Sequence, residues 1–264
     1  MLDFCGPMEY ILIDTHTHLY LENFETDLEE IIARAEQKNV RKFYLPAIDS
    51  ETHRAMIELE SRFPGRCISM MGLHPCSVKD NYKDELNIVL QWLEQREFVA
   101  IGEIGLDYYW DKTHVAQQKE SFRIQMEWAL ERSIPIVIHS RDSMDDSIDE
   151  VVPFAKRGLR GIFHCFSGNA NQAKRIIDSG FYLGIGGVLT YKKSGLAEAL
   201  SEISIESMVL ETDSPFLTPV PFRGKRNESS YLLYVAEKLA EIKGISVEEV
   251  AHITSANAEN IFGN

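Results

Sequence analysis

The chain is short of positive charge: 27 Lys and Arg stand against 41 Asp and Glu in 264 residues, a net charge of −14. That deficit argues against a broad nucleic-acid-coating surface and an anionic-membrane anchor, though not against a nucleic acid gripped locally by metal and a few basic side chains. No apolar run is long enough to span a bilayer. Cysteine is scarce. Cys5, Cys67, Cys76 and Cys165 lie far apart with no Cys-x-x-Cys pair. This excludes a zinc ribbon or disulfide framework and reads as free thiols in a reducing compartment. Residues 1–9 have no basic start and no long apolar stretch, so they do not read as a secretory signal. Low-complexity segments, charge blocks and linkers are also missing. The expectation is a soluble cytoplasmic protein with no membrane partner and no readable obligate protein partner.

What is present is a regular alternation of apolar runs and amphipathic stretches. Strands are expected at 11–14, 40–47, 67–72, 98–103, 134–139, 161–164, 181–185 and 208–211. Helices are expected at 24–37, 51–63, 83–95, 114–133, 144–156, 170–179, 194–202, 229–243 and 247–261. Ser246 followed by Glu248 and Glu249 marks the start of the last helix. The strands are apolar on both faces, as a covered parallel sheet requires. Eight strands, each followed by a helix, predict a single-domain (β/α)8 TIM barrel over 10–264, with 1–9 as an N-terminal extension.

In such a barrel, chemistry sits where the strands' C-terminal ends meet. The first strand runs into His16 and His18, whose i, i+2 spacing aims both imidazoles to one side. The fourth ends in Glu103, the fifth in His139, the sixth in His164 and the eighth in Glu211 and Asp213. Each alone is unremarkable; a lone buried His is usually a hydrogen-bonded core residue. Four His and two carboxylates on one ring would be electrostatically costly without a cation. The mixed donor set suits divalent Mg, Mn or Zn, and six ligands are too many for one tetrahedral zinc. Two metal cations sharing a carboxylate are therefore expected. Asp213, nearer the rim, is the better ligand. Glu211 would lie deeper and receive the free N–H of a ligating histidine, or pair with barrel cations. Cys165 is read as facing away from the site, into packing.

These residues lie in stretches that resemble the TatD family of metal-dependent deoxyribonucleases, within the amidohydrolase-like barrels. The stretches are Asp14-Thr15-His16-Thr17-His18, Gly72-Leu73-His74-Pro75, Gly102-Glu103-Ile104-Gly105-Leu106-Asp107-Tyr108, His139-Ser140-Arg141, His164-Cys165-Phe166-Ser167-Gly168, Glu211-Thr212-Asp213-Ser214-Pro215 and Arg223-Gly224-Lys225-Arg226-Asn227-Glu228. The resemblance implies His16, His18, Glu103 and Asp213 around one metal. It implies Glu103, His139 and His164 around the second, with Glu103 bridging. It further implies 3'-5' exonucleolytic hydrolysis of single-stranded DNA ends, with RNA as a further candidate substrate. In that reading Asp213 also accepts the attacking water's proton, and Glu103 and Asp213 are the catalytic carboxylates. His74 is either a phosphate contact or the residue that orders the Pro75 turn. Arg141 suits phosphate through its planar fork. Arg223 and Lys225 would be solvated loop residues but for the motif, and Arg226 is counted with them at the mouth. Asp107, Tyr108 and Tyr109 are candidates to line the mouth, where an aromatic ring can stack on a base, but aromatic residues in a barrel loop are more often packing, so they are left out of the site, and Phe166 with them. Two other readings stand beside this one. One is hydrolysis of carboxylic ester or C–N bonds, as in an aminoacyl-tRNA deacylase. The other is a non-catalytic nucleic-acid-binding protein.

Overall fold

The computed structural model describes residues 10–263; the expected extension 1–9, including Cys5, lies outside them. Eight strands run in chain order: β1 (Leu12–Asp14), β2 (Val40–Leu45), β3 (Cys67–Ser69), β4 (Ile101–Asp107), β5 (Ile136–Arg141), β6 (Gly161–Phe163), β7 (Tyr182–Ile185) and β8 (Met208–Leu210). The helices between and after them are α1 (Leu28–Gln37), α2 (His53–Arg62), α3 (Tyr82–Gln95), α4 (Val115–Arg132), α5 (Met144–Ala155), α6 (Ala170–Asp178), α7 (Leu196–Leu200), α8 (Leu232–Lys243) and α9 (Val247–Phe262).

Every paired strand is parallel to its neighbour, in two continuous runs, β1-β2-β3 and β4-β5-β6-β7-β8. Backbone hydrogen bonds join both seams. At one, the Gly102 N–H donates to Met71 O at 3.1 Å and the Met71 N–H to Ala100 O at 3.2 Å. At the other, the Thr15 N–H donates to Leu210 O at 3.0 Å and the His18 N–H to Ser214 O at 2.8 Å. Isolated parallel bridges, Thr17 with Ser214 and Met71 with Ile101, span the two seams, and the architecture is the expected (β/α)8 fold.

Alternation along the strands builds two apolar layers. Ile13, Tyr44, Met70, Ala100, Val137, Ile162 and Val209 point inward and pack with Ala258, Ile261 and Phe262 of α9. The Phe262 ring stacks on Tyr44 at 4.0 Å. Their opposite-facing neighbours, such as Leu12, Phe43, Ile136 and Ile138, belong to a second core with Ile31 and Ile32 of α1 and Leu239 of α8. Each such buried side chain contributes about 1.5–3 kcal/mol. The interior is thus packed below, and polar residues are left to the upper end.

Three local differences from the sequence pattern bear on the site. β4 begins later than expected and runs on to Asp107, because it pairs with β5 up to Asp107 opposite Arg141. Gly105 makes that approach possible: a Cβ there would lie 2.1 Å from His139 O, and its φ is +141°. β5 likewise extends to Arg141. β6 stops at Phe163, so Cys165 is not on a strand at all. With φ +45° it turns to line the same cavity as His164, which corrects its reading as outward-facing packing. Cys67, Cys76 and Cys165 are free thiols, as expected.

Candidate metal centre

Glu103 occupies the middle of the upper end and is 2% exposed. The β4–β5 register slips between Ile101 and Ile104, an irregularity of the kind that re-aims a side chain. Its two carboxylate oxygens face different partners. Oε2 is 3.1 Å from His16 Nε2 and 3.7 Å from His18 Nε2. Oε1 is 2.8 Å from His139 Nδ1, 3.4 Å from His74 Nε2 and 3.5 Å from His164 Nε2. Asp213 closes the first side, with Oδ1 3.4 Å from His18 Nε2 and 3.8 Å from His16 Nε2.

Hydrogen bonds outside the cluster orient the rings. The Tyr20 hydroxyl donates to Pro46 O at 2.5 Å, so its oxygen accepts from His18 Nδ1 at 2.8 Å. His18 Nε2 is therefore the lone-pair nitrogen, and it is the one facing Glu103 and Asp213. His74 Nδ1 accepts the Cys76 N–H at 3.0 Å, so His74 does order the Pro75 turn. The same imidazole presents Nε2 to Glu103. His164 Nδ1 lies 2.9 Å from Glu211 Oε1 without the alignment of a hydrogen bond, while that oxygen accepts the Cys165 N–H at 2.6 Å. Glu211 has room because residue 184 is glycine; a Cβ there would lie 2.2 Å from Glu211 Oε2. Among the described residues Glu211 has no Lys or Arg partner, so pairing with a barrel cation is not what holds it.

The electrostatics are those of a buried anion cluster balanced by imidazoles. Burial opposes the charge on Glu103, but His74, His16 and His164 outweigh it and hold the carboxyl well below its usual range. Burial likewise opposes the His164 imidazolium, yet Glu211 and Glu103 raise its pKa to about 10. For His16 burial wins, helped by the facing His164, and its pKa falls. The His16 and His164 rings stack at 3.6 Å. Both His16 nitrogens are buried with no hydrogen-bond partner, although Nε2 is 3.1 Å from a carboxylate oxygen. A cation between them would satisfy both, so the donor set fits divalent metal. Donor atoms of His16, His18 and Asp213 fall within 4.8 Å of one another, as do those of His16, Glu103 and His164 and those of His74, Glu103 and His139. His74 thus stands beside Glu103 and His139, in a place that the resemblance does not assign it.

Asp107, which the sequence pattern leaves at the mouth and outside the site, belongs to this cluster. Its Oδ2 lies 2.9 Å from His139 Nε2, and its Oδ1 accepts the N–H groups of Tyr109 at 2.9 Å and Trp110 at 3.1 Å. The signal was available: a carboxylate four residues beyond Glu103 on a strand run would share its side. The strand end placed at Glu103 concealed it.

The basic residues separate. Arg141 lines the cavity, its guanidinium 3.8 Å from the Tyr109 ring centroid and 5.3 Å from that of Trp110. Arg223 lies 3.9 Å over the Tyr191 ring, outside the lining, and Lys225 is exposed beyond it with Nζ 5.8 Å from the Phe222 ring. Arg226 does not serve the mouth: it is bound bidentately to Asp27 at 2.6 and 2.9 Å. The cavity itself has a volume of about 590 Å³ and reaches from His18 and His74 to Trp110, Phe216 and Leu217.

Among the described residues no helix is long and apolar enough to cross a membrane. Residues 13–263 match the family model of the TatD related DNases. The chain is 40% identical over 253 residues to the uncharacterized metal-dependent hydrolase YabD of Bacillus subtilis, covering 96% of this chain and 99% of that one. It is 31% identical over 258 residues to the 3'-5' ssDNA/RNA exonuclease TatD of Salmonella typhimurium, covering 95% and 98%. The crystal structure of YJJV, a TatD homolog from Escherichia coli K12, superposes with a TM-score of 0.90 at 28% identity, over 96% of this chain and 98% of that one. A phosphotriesterase homology protein from Escherichia coli shares the fold at a TM-score of 0.70 and 14% identity. The match across nearly the whole chain, joined to a buried His, Glu and Asp cluster that fits metal, shows that the chain belongs to the TatD family of metal-dependent hydrolases.

Proposed function

We propose that the chain hydrolyses phosphodiester bonds at single-stranded ends of DNA, and of RNA, in the 3'-5' direction, using two divalent cations. The observation that carries this reading is the way Glu103 divides its two oxygens: one is turned to His16 and His18, the other to His139, His74 and His164. A carboxylate facing two donor sets is what a bridging ligand requires. In this reading His16, His18 and Asp213 would hold the first ion with Glu103, and His139 and His164 would hold the second with it. When bound, two such ions would supply charge stabilisation to a phosphodiester and lower the pKa of a water beside it. Asp213 is mostly buried but lines the cavity, where it would accept a proton from the attacking water. Glu211 holds His164 from below, and Asp107 holds His139 from the side. Arg141, and farther out Arg223 and Lys225, receive neighbouring phosphates, while His74 reaches the scissile group from the turn it orders. The exonuclease named among the relatives supports the substrate class. Residues 10–264 act as one hydrolase domain, in the cytoplasm.

The test is a matrix of Mg, Mn and Zn against single-stranded DNA, duplex DNA, RNA and an aminoacyl ester, with a chelator arm. Release of mononucleotides from single-stranded ends, abolished by chelator and restored by metal, is expected. Turnover of the aminoacyl ester alone would replace this reading with ester hydrolysis.

A further inference from the structure

Among the described residues six large hydrophobic side chains are exposed, and five of them stand on the two loops that flank the candidate centre. Tyr109 and Trp110 follow β4; Phe216, Leu217 and Val220 follow β8. Isolated exposed apolar residues need no explanation, but a cluster at the rim of a polar cavity does. Trp110 is 69% exposed and Phe216 51%, and both line the cavity that contains Glu103 and Asp213.

Both walls hang on the centre itself. The Trp110 N–H donates to Asp107 Oδ1, the carboxylate whose other oxygen meets His139. The Phe216 N–H donates to Asp213 O at 2.8 Å, and its carbonyl accepts from the buried Asn227 side-chain amide. The Phe216 ring lies edge-on to His18, with centroids 6.0 Å apart. The rings are therefore placed by the same residues that assemble the donors. Arg141 lines the same cavity, its guanidinium 3.8 Å from the Tyr109 ring centroid and 5.3 Å from that of Trp110. One cavity thus combines exposed aromatic rings, a guanidinium and the candidate metal donors.

That combination matches one kind of ligand. An unpaired nucleotide presents a flat base, then a phosphate, at successive positions. A base stacks on an aromatic face, whereas in an intact duplex that face is already covered by its neighbours. We propose that Trp110 and Phe216 form a base-stacking clamp that selects unpaired terminal nucleotides of DNA or RNA and delivers their phosphodiester to the centre. This deepens the nuclease reading and rests on it for the fate of the substrate, but not for its binding. The clamp reads the base face, so it makes the site tolerant of sequence and intolerant of pairing.

The experiment is a cycle between side chain and base. Trp110→Ala, Trp110→Phe and Phe216→Ala are compared with the original on oligonucleotides whose last two residues are normal or abasic, as DNA and as RNA. Turnover is followed with added Mn²⁺. Binding is followed separately with phosphorothioate-protected strands by fluorescence anisotropy. Loss of stacking by Trp110→Ala should weaken binding of the normal end about tenfold or more. The abasic end should bind the original protein weakly, and Trp110→Ala should weaken it little further. Trp110→Phe should retain most of the affinity, and all variants should keep their metal content. Equal losses on normal and abasic ends, or no loss on either, overturn the clamp. If the original protein binds through Trp110 in this base-dependent way but cleaves nothing, the clamp stands and the nuclease reading fails. If it binds neither kind of end, the clamp is overturned.

Discussion

Asp107→Asn tests how the centre keeps His139 in its working form. The carboxylate has three donors to satisfy: the Tyr109 and Trp110 N–H groups at Oδ1 and His139 Nε2 at Oδ2, 2.9 Å away. With the Nε2 proton donated to Asp107, Nδ1 keeps its lone pair, and Nδ1 is the atom facing Glu103. Asparagine preserves the shape and changes the chemistry. Only its carbonyl oxygen can accept the two backbone N–H groups, so its NH2 is turned toward His139. Two donors then face each other. The imidazole relieves this by moving its proton to Nδ1, which fills the lone pair a cation needs. Turning the amide over is no remedy, since it leaves two backbone donors facing an NH2, at about 1–3 kcal/mol for each unsatisfied group. Loss of such an orienting partner typically weakens metal binding about 10- to 100-fold, or about 1.4–2.8 kcal/mol. Equilibrium dialysis against buffered Zn²⁺ or Mn²⁺, with metal counted by mass spectrometry, should resolve two binding steps in the original protein. Only one should weaken in Asp107→Asn, because His16, His18 and Asp213 do not touch residue 107. Two unchanged steps would refute the reasoning and leave Asp107 as a staple for the Tyr109–Trp110 loop.

Glu103→Ala removes the carboxylate that, alone among the described residues, faces both donor sets, so both ions should be lost; near-full occupancy by mass spectrometry would sink the two-metal reading. Single-stranded oligonucleotide binding should depend weakly on salt, since Arg226 is tied to Asp27, which leaves Arg141, Arg223 and Lys225 of the basic residues the motifs place at the mouth. About three contacts give a log–log slope near −2, and a slope of about −6 would reveal an extended basic surface. Arg34→Ala should cost about 1–2 kcal/mol of stability at neutral pH, after discounting for the partial exposure of Arg34. It removes the bidentate partner of Glu228, at 3.0 and 2.7 Å. Burial opposes the Glu228 charge, but Arg34 and Ser230 outweigh it and depress its pKa. That stabilisation is present above the ordinary glutamate value, about 4.3, and is lost as pH falls through the folded value. The gap between Arg34→Ala and the original in urea melts should therefore shrink on acidification; a gap independent of pH would contradict the pairing.

The barrel was legible in the chain because its signal is local. Apolar runs separated by helical periodicity report which residues are buried, and eight such units have few ways to close. The clustering of His16, His18, Glu103, His139, His164 and Asp213 was legible for a related reason: the six stand at the ends of five apolar runs, and the fold rule brings those ends together. What the chain alone could not decide depends on contacts distant in sequence. β4 reaches Asp107 because β5 pairs with it that far, and no property of residues 104–107 alone announces a partner 34 residues on. Cys165 turns into the cavity because β6 stops one residue before His164. Arg226 looks like its neighbours Arg223 and Lys225 in the motif, yet Asp27, 199 residues away, takes it out of the mouth. The same holds for Trp110 and Phe216, which meet at one cavity only after the barrel has closed. Composition and periodicity fix which side chains leave water; the direction in which a polar side chain points, and what meets it there, is set by backbone turns and partners that exist only in the folded chain.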